Sequence, residues 1–485
     1  NNLGNVLKEL GRLDEAVTSF EKALFINPDY FEAHFSLGVV LFDLGKLEEA
    51  AQSYQKSLVI NPDFFETHNN LGNTYKELCE LNNAMISYKK ALEINPKYSE
   101  AYNNLGNVYL ELNQLDSAIK SYQSAIKINP DYPALHNNLG NAYKKLGQLN
   151  DALKSYSKGL TYNPDFIDLL NNLGVVLNDL ERFDEAVVNY ERAITIKPDY
   201  AEAHNNLGVT YNKLGKLEEA VQSYERALTL DPDYADTHNN LGVVLKKLGQ
   251  VDRAIKCYKK ALDINPDDAN AHNNYGNIFE QLDQNNNAIK SYQKAIEINP
   301  DFYQAHNNYG NILAKDPNQA AEALKSFQRA IEINPDFALA HNNLAHAYRD
   351  LTQLDDALKS YEMAMTIQPD LDNVLGNILS TKMNSCNWDN LASLLNDLKQ
   401  KIVNNEKVVN PFTLLGLIDD PALQLKATEL SMNNNHPKND ILPSIENHPK
   451  HKKIRIGYFS ADFRDHPVAF LTAELYEVHN RDYYE

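Results

Sequence analysis

The stretch NNLGNTYKELCELNNAMISYKKALEINP, residues 69–96, is one unit of a pattern that recurs along most of this 485-residue chain. Each unit contains a Leu-Gly pair, then an alanine and an aromatic residue, and it closes with a proline. Successive prolines lie 34 residues apart, with a single interval of 35. The closing prolines are Pro28, Pro62, Pro96, Pro130, Pro164, Pro198, Pro232, Pro266, Pro300, Pro335 and Pro369. A constant period of this length indicates a repeat array.

The spacing within each unit predicts two helices. Glycine in a helix costs about 1 kcal/mol relative to alanine, so the recurrent Leu-Gly pair of the first helix predicts a close approach of the second helix. We expect the recurrent alanine, Ala84 in the quoted unit, to face that glycine. The aromatic residue follows the alanine by four positions and shares its helix face. The proline ends the second helix, and the one extra residue falls in the turn region AKDPNQAAEA, residues 314–323.

A helix pair with this period, Leu-Gly pair and closing proline resembles the tetratricopeptide repeat (TPR) family. The resemblance implies an all-α solenoid, a right-handed superhelix of stacked helix pairs with a concave inner surface. The eleven prolines predict eleven repeats over residues 1–369, the first of them incomplete. One helix pair cannot bury its apolar face alone, so stacking must supply the core.

An asparagine directly precedes the Leu-Gly position in ten of the eleven repeats, with Ser36 as the exception. By the TPR resemblance this column lines the inside of the superhelix. An amide side chain both donates and accepts, so the column can pair with peptide main chain of any sequence. A solvated polar residue, or one bonded to a neighbouring turn, is the alternative interpretation. The candidate peptide-binding residues are Asn70, Asn104, Asn138, Asn172, Asn206, Asn240, Asn274, Asn308 and Asn343.

A second column contains histidines that are 34 or more residues apart. They are His34, His68, His136, His204, His238, His272, His306 and His341. None has the i, i+4 partner of a helical metal site, so we predict a helix-packing role and no metal. The three cysteines fit neither a disulfide framework nor a zinc site. We expect Cys79 and Cys257 to be small buried thiols in a reducing compartment, which favours the cytoplasm, and also the nucleus in a eukaryote.

The net charge and the distribution of apolar residues limit the classes of partner that we expect. The net charge of −20 should repel phosphate backbones, which argues against nucleic acid as a main partner. No run of eighteen apolar residues is present, so we predict no membrane span. The predicted partners are proteins or extended peptides, and a homodimer formed through the repeats stays open.

The pattern changes after Pro369. Residues 370–433 keep a helical pattern without the repeat columns, and residues 434–452 are polar and rich in Pro and Asn, which predicts a linker. Residues 453–485 read as a strand (IRIGYF), a turn (SADFRDHP) and an amphipathic helix, the first half of a βαβ unit. Ligands of such sheets gather where the strands end, which is where His466 lies.

This order of parts resembles the O-linked N-acetylglucosamine transferase family, most clearly in CNW (386–388), DPALQLKA (420–427) and KKIRIGYFSADFRDHPVAFL (452–471). The resemblance implies a protein O-glycosyltransferase with a two-lobed α/β catalytic region of the GT-B type. Its substrates would be UDP-GlcNAc and protein Ser or Thr hydroxyls, without a cofactor. His466 matches a family residue near the acceptor site, and base, donor-contact and acceptor-contact roles are all open. A helix cap is the alternative. The family's asparagine ladder maps onto the column described above.

We expect residues 453–485 to be only the truncated start of the first catalytic lobe, so that this chain binds protein but transfers no sugar alone. Two alternatives stay open. One is a SPINDLY-type protein O-fucosyltransferase that uses GDP-fucose, and the other is a non-enzymatic TPR scaffold. The residues that follow Glu485 would distinguish them.

Overall fold

The computed structural model describes residues 1–435, and the predicted strand–loop–helix of residues 453–485 lies outside them. Within residues 1–435 every regular element is helical. The chain divides into two compact units, Asn1–Ala347 and Tyr348–Glu485.

The repeat helices form pairs, in which the second helix has fourteen residues and the first helix is shorter. They are α1 (Asn2–Glu9), α2 (Leu13–Ile26), α3 (Phe31–Asp43), α4 (Leu47–Ile60), α5 (Phe65–Glu77), α6 (Leu81–Ile94), α7 (Ser99–Glu111), α8 (Leu115–Ile128), α9 (Pro133–Lys145), α10 (Leu149–Tyr162), α11 (Ile167–Asp179), α12 (Phe183–Ile196), α13 (Ala201–Lys213), α14 (Leu217–Leu230), α15 (Ala235–Lys247), α16 (Val251–Ile264), α17 (Ala269–Gln281), α18 (Asn285–Ile298), α19 (Tyr303–Leu313), α20 (Ala320–Ile333), α21 (Ala338–Asp350) and α22 (Leu354–Ile367). Four further helices follow: α23 (Val374–Asn384), α24 (Leu391–Val403), α25 (Pro411–Leu417) and α26 (Pro421–Asn435).

Stacking in the first unit follows one rule. Each second helix packs against the first helix of its own pair and against the first helix of the next pair, as α4 does with α3 and α5. First helices of successive pairs also touch each other, from α3 and α5 through to α17 and α19. The all-α repeat solenoid predicted from the sequence is therefore confirmed.

In ten of the eleven pairs an aromatic ring packs on a glycine, and the α21–α22 pair has Ala345 in that place. A Cβ atom added to Gly72 would lie 2.6 Å from Cε1 of Tyr88, and the Tyr88 side chain is fully buried. The predicted close approach of the helices is confirmed, and the atoms nearest the glycine belong to the Tyr88 ring. The ring of Tyr88 occupies that place because it extends across the pair, whereas Ala84 is buried one turn earlier on the same helix.

The proline ends each second helix, as predicted. Helix α2 ends at Ile26, and Asn27 before Pro28 has an extended backbone with φ −136° and ψ 92°. The Asn27 side chain then accepts a hydrogen bond from the Asp29 N–H at 3.3 Å, which forms a local turn. The chain thus leaves the helix at the same angle in successive repeats.

The turn within ten of the eleven pairs contains a residue with left-handed backbone, and the α19–α20 pair is the exception. Gly45 and Gly215 both have φ 74° there, but Cys79 stands at the same repeat position with φ 59°. Cys79 is exposed, so the expectation of a buried thiol is wrong for this residue, because the turn points its side chain to solvent. The extra residue of the 35-residue interval is absorbed by a 3-10 turn, Pro317–Gln319, as the sequence predicted.

The second unit has its own apolar core between α23 and α26. Leu379, Leu398 and Leu414 are fully buried in it, and Ile402 is 1% exposed. No helix within residues 1–435 is long and apolar enough to cross a membrane.

The ring-on-glycine contact gives a stability prediction. Gly174→Ala places a methyl group 2.6 Å from the Tyr190 ring, which is fully buried and cannot move aside. We expect the free energy of unfolding to fall by about 1–3 kcal/mol, as for other overpacked cores. Urea denaturation followed by circular dichroism measures it.

Gly416→Ala is the matched control, because Gly416 is also helical but has no atom within 4 Å of an added Cβ. We expect this variant to be as stable as the wild type or more stable, since alanine is the better helix former. Equal effects of the two substitutions would contradict the packing account.

Candidate functional site

The asparagine column forms a hydrogen-bonded ladder across successive repeats. In the eight column residues from Asn104 to Asn343, the side-chain Nδ2 donates to Oδ1 of an asparagine in the preceding repeat. That acceptor stands directly before the column residue of its own repeat. The bonds run from Asn104 to Asn69 (3.2 Å), Asn138 to Asn103 (2.9 Å), Asn172 to Asn137 (2.9 Å), Asn206 to Asn171 (3.1 Å), Asn240 to Asn205 (3.3 Å), Asn274 to Asn239 (3.0 Å), Asn308 to Asn273 (3.0 Å) and Asn343 to Asn307 (2.9 Å). We call the surface formed by the nine candidate asparagines the ladder face.

Column residues are neither buried nor freely solvated. All nine are half buried. A primary amide carries two N–H donors and one carbonyl acceptor with two lone pairs. In Asn138, Asn172 and Asn206 the ladder bond uses one N–H, so each side chain keeps a second N–H donor. Asn104 and Asn308 are different, because each donates to two asparagines of the preceding repeat.

The ladder is anchored in the core by the aromatic column. The Tyr88 hydroxyl donates to Oδ1 of Asn73 at 2.7 Å, and the Tyr122 hydroxyl donates to Asn107 at the same distance. Burial raises the pKa of both phenols, so they remain protonated donors at neutral pH. The ring that closes the helix pair therefore also fixes an amide beside the ladder face.

Two of the asparagines that accept ladder bonds also donate a hydrogen bond to a carboxylate. Asn69 donates to Glu100 Oε1 at 3.1 Å, and Asn171 donates to Glu202 Oε1 at 2.9 Å. Each carboxylate belongs to the first helix of the following repeat, so these bonds also cross the repeat boundary. The amide orientations in the ladder are thus set by a network and not by single bonds.

Asparagines 69, 103, 137, 171 and their equivalents were not among the predicted site residues. The signal that could have found them is the Asn-Asn doublet before the Leu-Gly pair. A doublet repeated at a period of 34 places donor and acceptor amides on neighbouring first helices. Where the doublet is broken by Phe35, no ladder acceptor exists, and Asn70 is bonded to the Tyr54 hydroxyl instead.

The histidine column has a packing role, as predicted. Each imidazole Nε2 donates to the carbonyl of the proline six residues earlier, which ends the preceding second helix. Representative distances are 2.8 Å for His136 to Pro130 and 3.0 Å for His306 to Pro300. Within the described part of the chain no group of three potential metal ligands comes together.

Family comparisons agree with this geometry. The model described as TPR repeat matches residues 4–45, 40–78, 106–147, 140–180, 176–215, 210–249, 276–316 and 317–351. The chain belongs to the tetratricopeptide repeat family. Models described as tetratricopeptide repeat match the remaining units, at residues 65–98, 87–120, 235–268, 257–290 and 340–375.

Solved structures of TPR proteins match shorter parts of the chain. The crystal structure of MamA is 25% identical, covers 34% of this chain and 97% of its own, and has a TM-score of 0.32. A second MamA structure is 26% identical over 35% of this chain and 92% of its own, also with a TM-score of 0.32. YrrB, titled a TPR protein with an unusual peptide-binding site, is 28% identical over 38% and 95%, with a TM-score of 0.33. No curated protein matches the chain.

Several predictions from the sequence stay untested. None of the matches is specific to glycosyltransferases. His466, the predicted linker and the α/β lobe lie outside the described residues. The domain bounds at residues 369, 433 and 452 and the homodimer also stay predictions.

The histidine column predicts a pH dependence of stability. Burial lowers the pKa of His204 and His306. Their folded values therefore lie below the unfolded value of about 6.5, and the unfolded chain binds protons first as the pH falls. The stability contributed by the neutral imidazoles is present above that value and is lost as the pH falls through it.

We expect the urea midpoint to decrease between about pH 7.5 and about pH 5.5, and to decrease less in His204→Gln/His306→Gln. Glutamine keeps an N–H donor for the proline carbonyl but does not titrate. Circular dichroism at both pH values measures the difference. A double variant with an unchanged or larger pH dependence would show that these imidazoles are not responsible.

Proposed function

We propose that the repeats bind extended peptide segments of other proteins along the ladder face, chiefly through the peptide main chain. The observation that supports this proposal is the inter-repeat amide ladder. It presents half-buried amides at one position on each of nine successive first helices. A free N–H donor remains at most of these positions, beside the carbonyl acceptor.

Such an array suits a polypeptide because main-chain N–H and C=O groups recur along the ligand. A peptide taken from water must find partners for these groups. The ladder bonds already restrain the amide side chains, so less rotational freedom is lost when a ligand binds. Binding of this kind is largely independent of ligand sequence, which suits a module that recruits many different proteins.

The ladder gives a binding prediction with a built-in control. Asn172→Ala/Asn206→Ala removes two donors from the ladder face. We expect the dissociation constant of a bound Ser- and Thr-containing peptide to rise by about tenfold or more, equivalent to one or two hydrogen bonds. Fluorescence anisotropy with labelled synthetic peptides, selected on a peptide array, measures the change.

Asn137→Ala/Asn171→Ala is the control, because it breaks the same two inter-repeat bonds from the acceptor side and, in addition, the Asn171–Glu202 bond. It leaves Asn172 and Asn206 in place. We expect binding to weaken by less than about threefold. If both double variants weaken binding equally, the ladder is only a structural device and the proposed role of its amides is wrong.

We also propose that this binding arm serves a protein O-glycosyltransferase that transfers N-acetylglucosamine from UDP-GlcNAc to Ser or Thr. The support is the resemblance of residues 386–388, 420–427 and 452–471 to that family. His466 would lie near the acceptor hydroxyl in this proposal. The SPINDLY-type fucosyltransferase and the non-enzymatic scaffold are the competing interpretations.

The test is to read the coding sequence beyond Glu485, express the whole reading frame and assay transfer to a Ser-containing peptide. Mass spectrometry with UDP-GlcNAc and with GDP-fucose identifies the donor. We expect transfer from UDP-GlcNAc, reduced by about tenfold or more in His466→Ala. Transfer from GDP-fucose alone would favour the SPINDLY type, and transfer from neither donor would leave the scaffold.

A further inference from the structure

Three consecutive repeats depart from the pattern beside the ladder. The residue after the glycine is asparagine in most repeats, as in Asn73, but it is Val175, Val209 and Val243 in helices α11, α13 and α15. All three valines are half buried and pack with one side against the repeat core. The ladder itself continues through these repeats, so an apolar strip runs beside the amides here.

The substitution by valine also changes the buried phenols. The Tyr88 hydroxyl donates to Asn73 at 2.7 Å, and Tyr122 and Tyr156 each have the equivalent partner. Tyr224 and Tyr258 lie behind valines and are each 1% exposed. Within the described residues neither hydroxyl has a hydrogen-bond partner.

The fourth valine of this kind, Val39, does not have this consequence. In that repeat the Tyr54 hydroxyl is bonded to Asn70 of the next repeat. Asn240 and Asn274 stand in the equivalent place for Tyr224 and Tyr258, but each donates to the preceding repeat at 3.3 Å and 3.0 Å. Both rings lie in the core, so beside the ladder face the valines alone form the surface of these repeats.

We propose that the strip formed by Val175, Val209 and Val243 selects peptide segments with apolar side chains. The inference rests on the proposed peptide binding and adds a sequence preference to it. The valines contact the side chains of the peptide. A polar side chain placed on the valines would lose its water without gaining a partner.

A polypeptide fits this strip better than a compact small molecule. The valines recur once per repeat, in α11, α13 and α15, so the ligand must offer apolar groups in repetition along its length. An extended peptide does this, since its side chains alternate in direction along a regular main chain. The amide ladder before and after the strip accepts the flanking residues without a sequence requirement.

Two fluorescein-labelled peptides with identical Ser- and Asn-containing flanks test the proposal. One has the centre Val-Ile-Val-Ile-Val, and the other has Thr-Gln-Thr-Gln-Thr. We expect the wild-type protein to bind the apolar peptide about tenfold more tightly. In Val175→Asn/Val209→Asn/Val243→Asn, which restores an amide acceptor for each phenol, we expect the two peptides to bind with equal affinity.

Circular dichroism of the triple variant shows whether it folds, and Val175→Thr/Val209→Thr/Val243→Thr offers a nearly isosteric second variant with the same expected loss of preference. Equal binding of both peptides by the wild type would overturn the apolar preference and leave the proposed peptide binding intact. A preference that survives in both triple variants would also overturn it. Failure of the wild type to bind either peptide would instead count against peptide binding itself.

Discussion

The structure depends on the contact between one aromatic ring and one glycine, which recurs in ten of the eleven helix pairs. The ring fills the space that any side chain at the glycine would occupy, so the two helices approach at a fixed distance. That contact is repeated with the same atoms in successive pairs, for example Tyr122 on Gly106 and Tyr224 on Gly208. Because every pair has the same internal geometry, polar side chains at one repeat position arrive at hydrogen-bonding distance from the next repeat.

The ladder is a consequence of this regularity. A side-chain bond between residues 35 positions apart, such as Asn172 to Asn137 at 2.9 Å, forms only if neighbouring pairs stack in register. Recurrence of the bond shows that register is kept along the first unit. The same bonds that hold the stack together also point the remaining amide groups away from the core. Structural and binding roles are therefore carried by the same side chains, and only matched substitutions separate them.

Much of the fold was predictable from the sequence, because the same pattern indicates the helix ends again in each repeat. Three features were predictable from spacing: the end of helix α2 before Pro28, the solenoid, and the insertion turn at Pro317–Gln319. The partner of the glycine was not, since the reach of Tyr88 across the pair depends on side-chain length and not on helix position. Cys79 was misplaced because it occupies a left-handed turn position, where glycine stands in five repeats and another residue in five.

The candidate site was predictable only in part. The column of asparagines is visible in the sequence, but its pairing with residues such as Asn137 requires the orientation of neighbouring helices. The unpaired Tyr224 and Tyr258 hydroxyls are visible only once the Tyr88-to-Asn73 bond is known in the repeats that retain it. Periodicity therefore identifies the face, whereas the hydrogen-bond network determines which groups on it are available.

The central claim is that the ladder face recognises peptide main chain. The most direct measurement is the dissociation constant of one bound peptide before and after N-methylation of its backbone amides, one position at a time. Methylation removes a main-chain donor and leaves every side chain unchanged. We predict losses of about tenfold at the positions that meet the ladder. Affinity unchanged by methylation at every position, but lost on single side-chain substitutions, would contradict the claim.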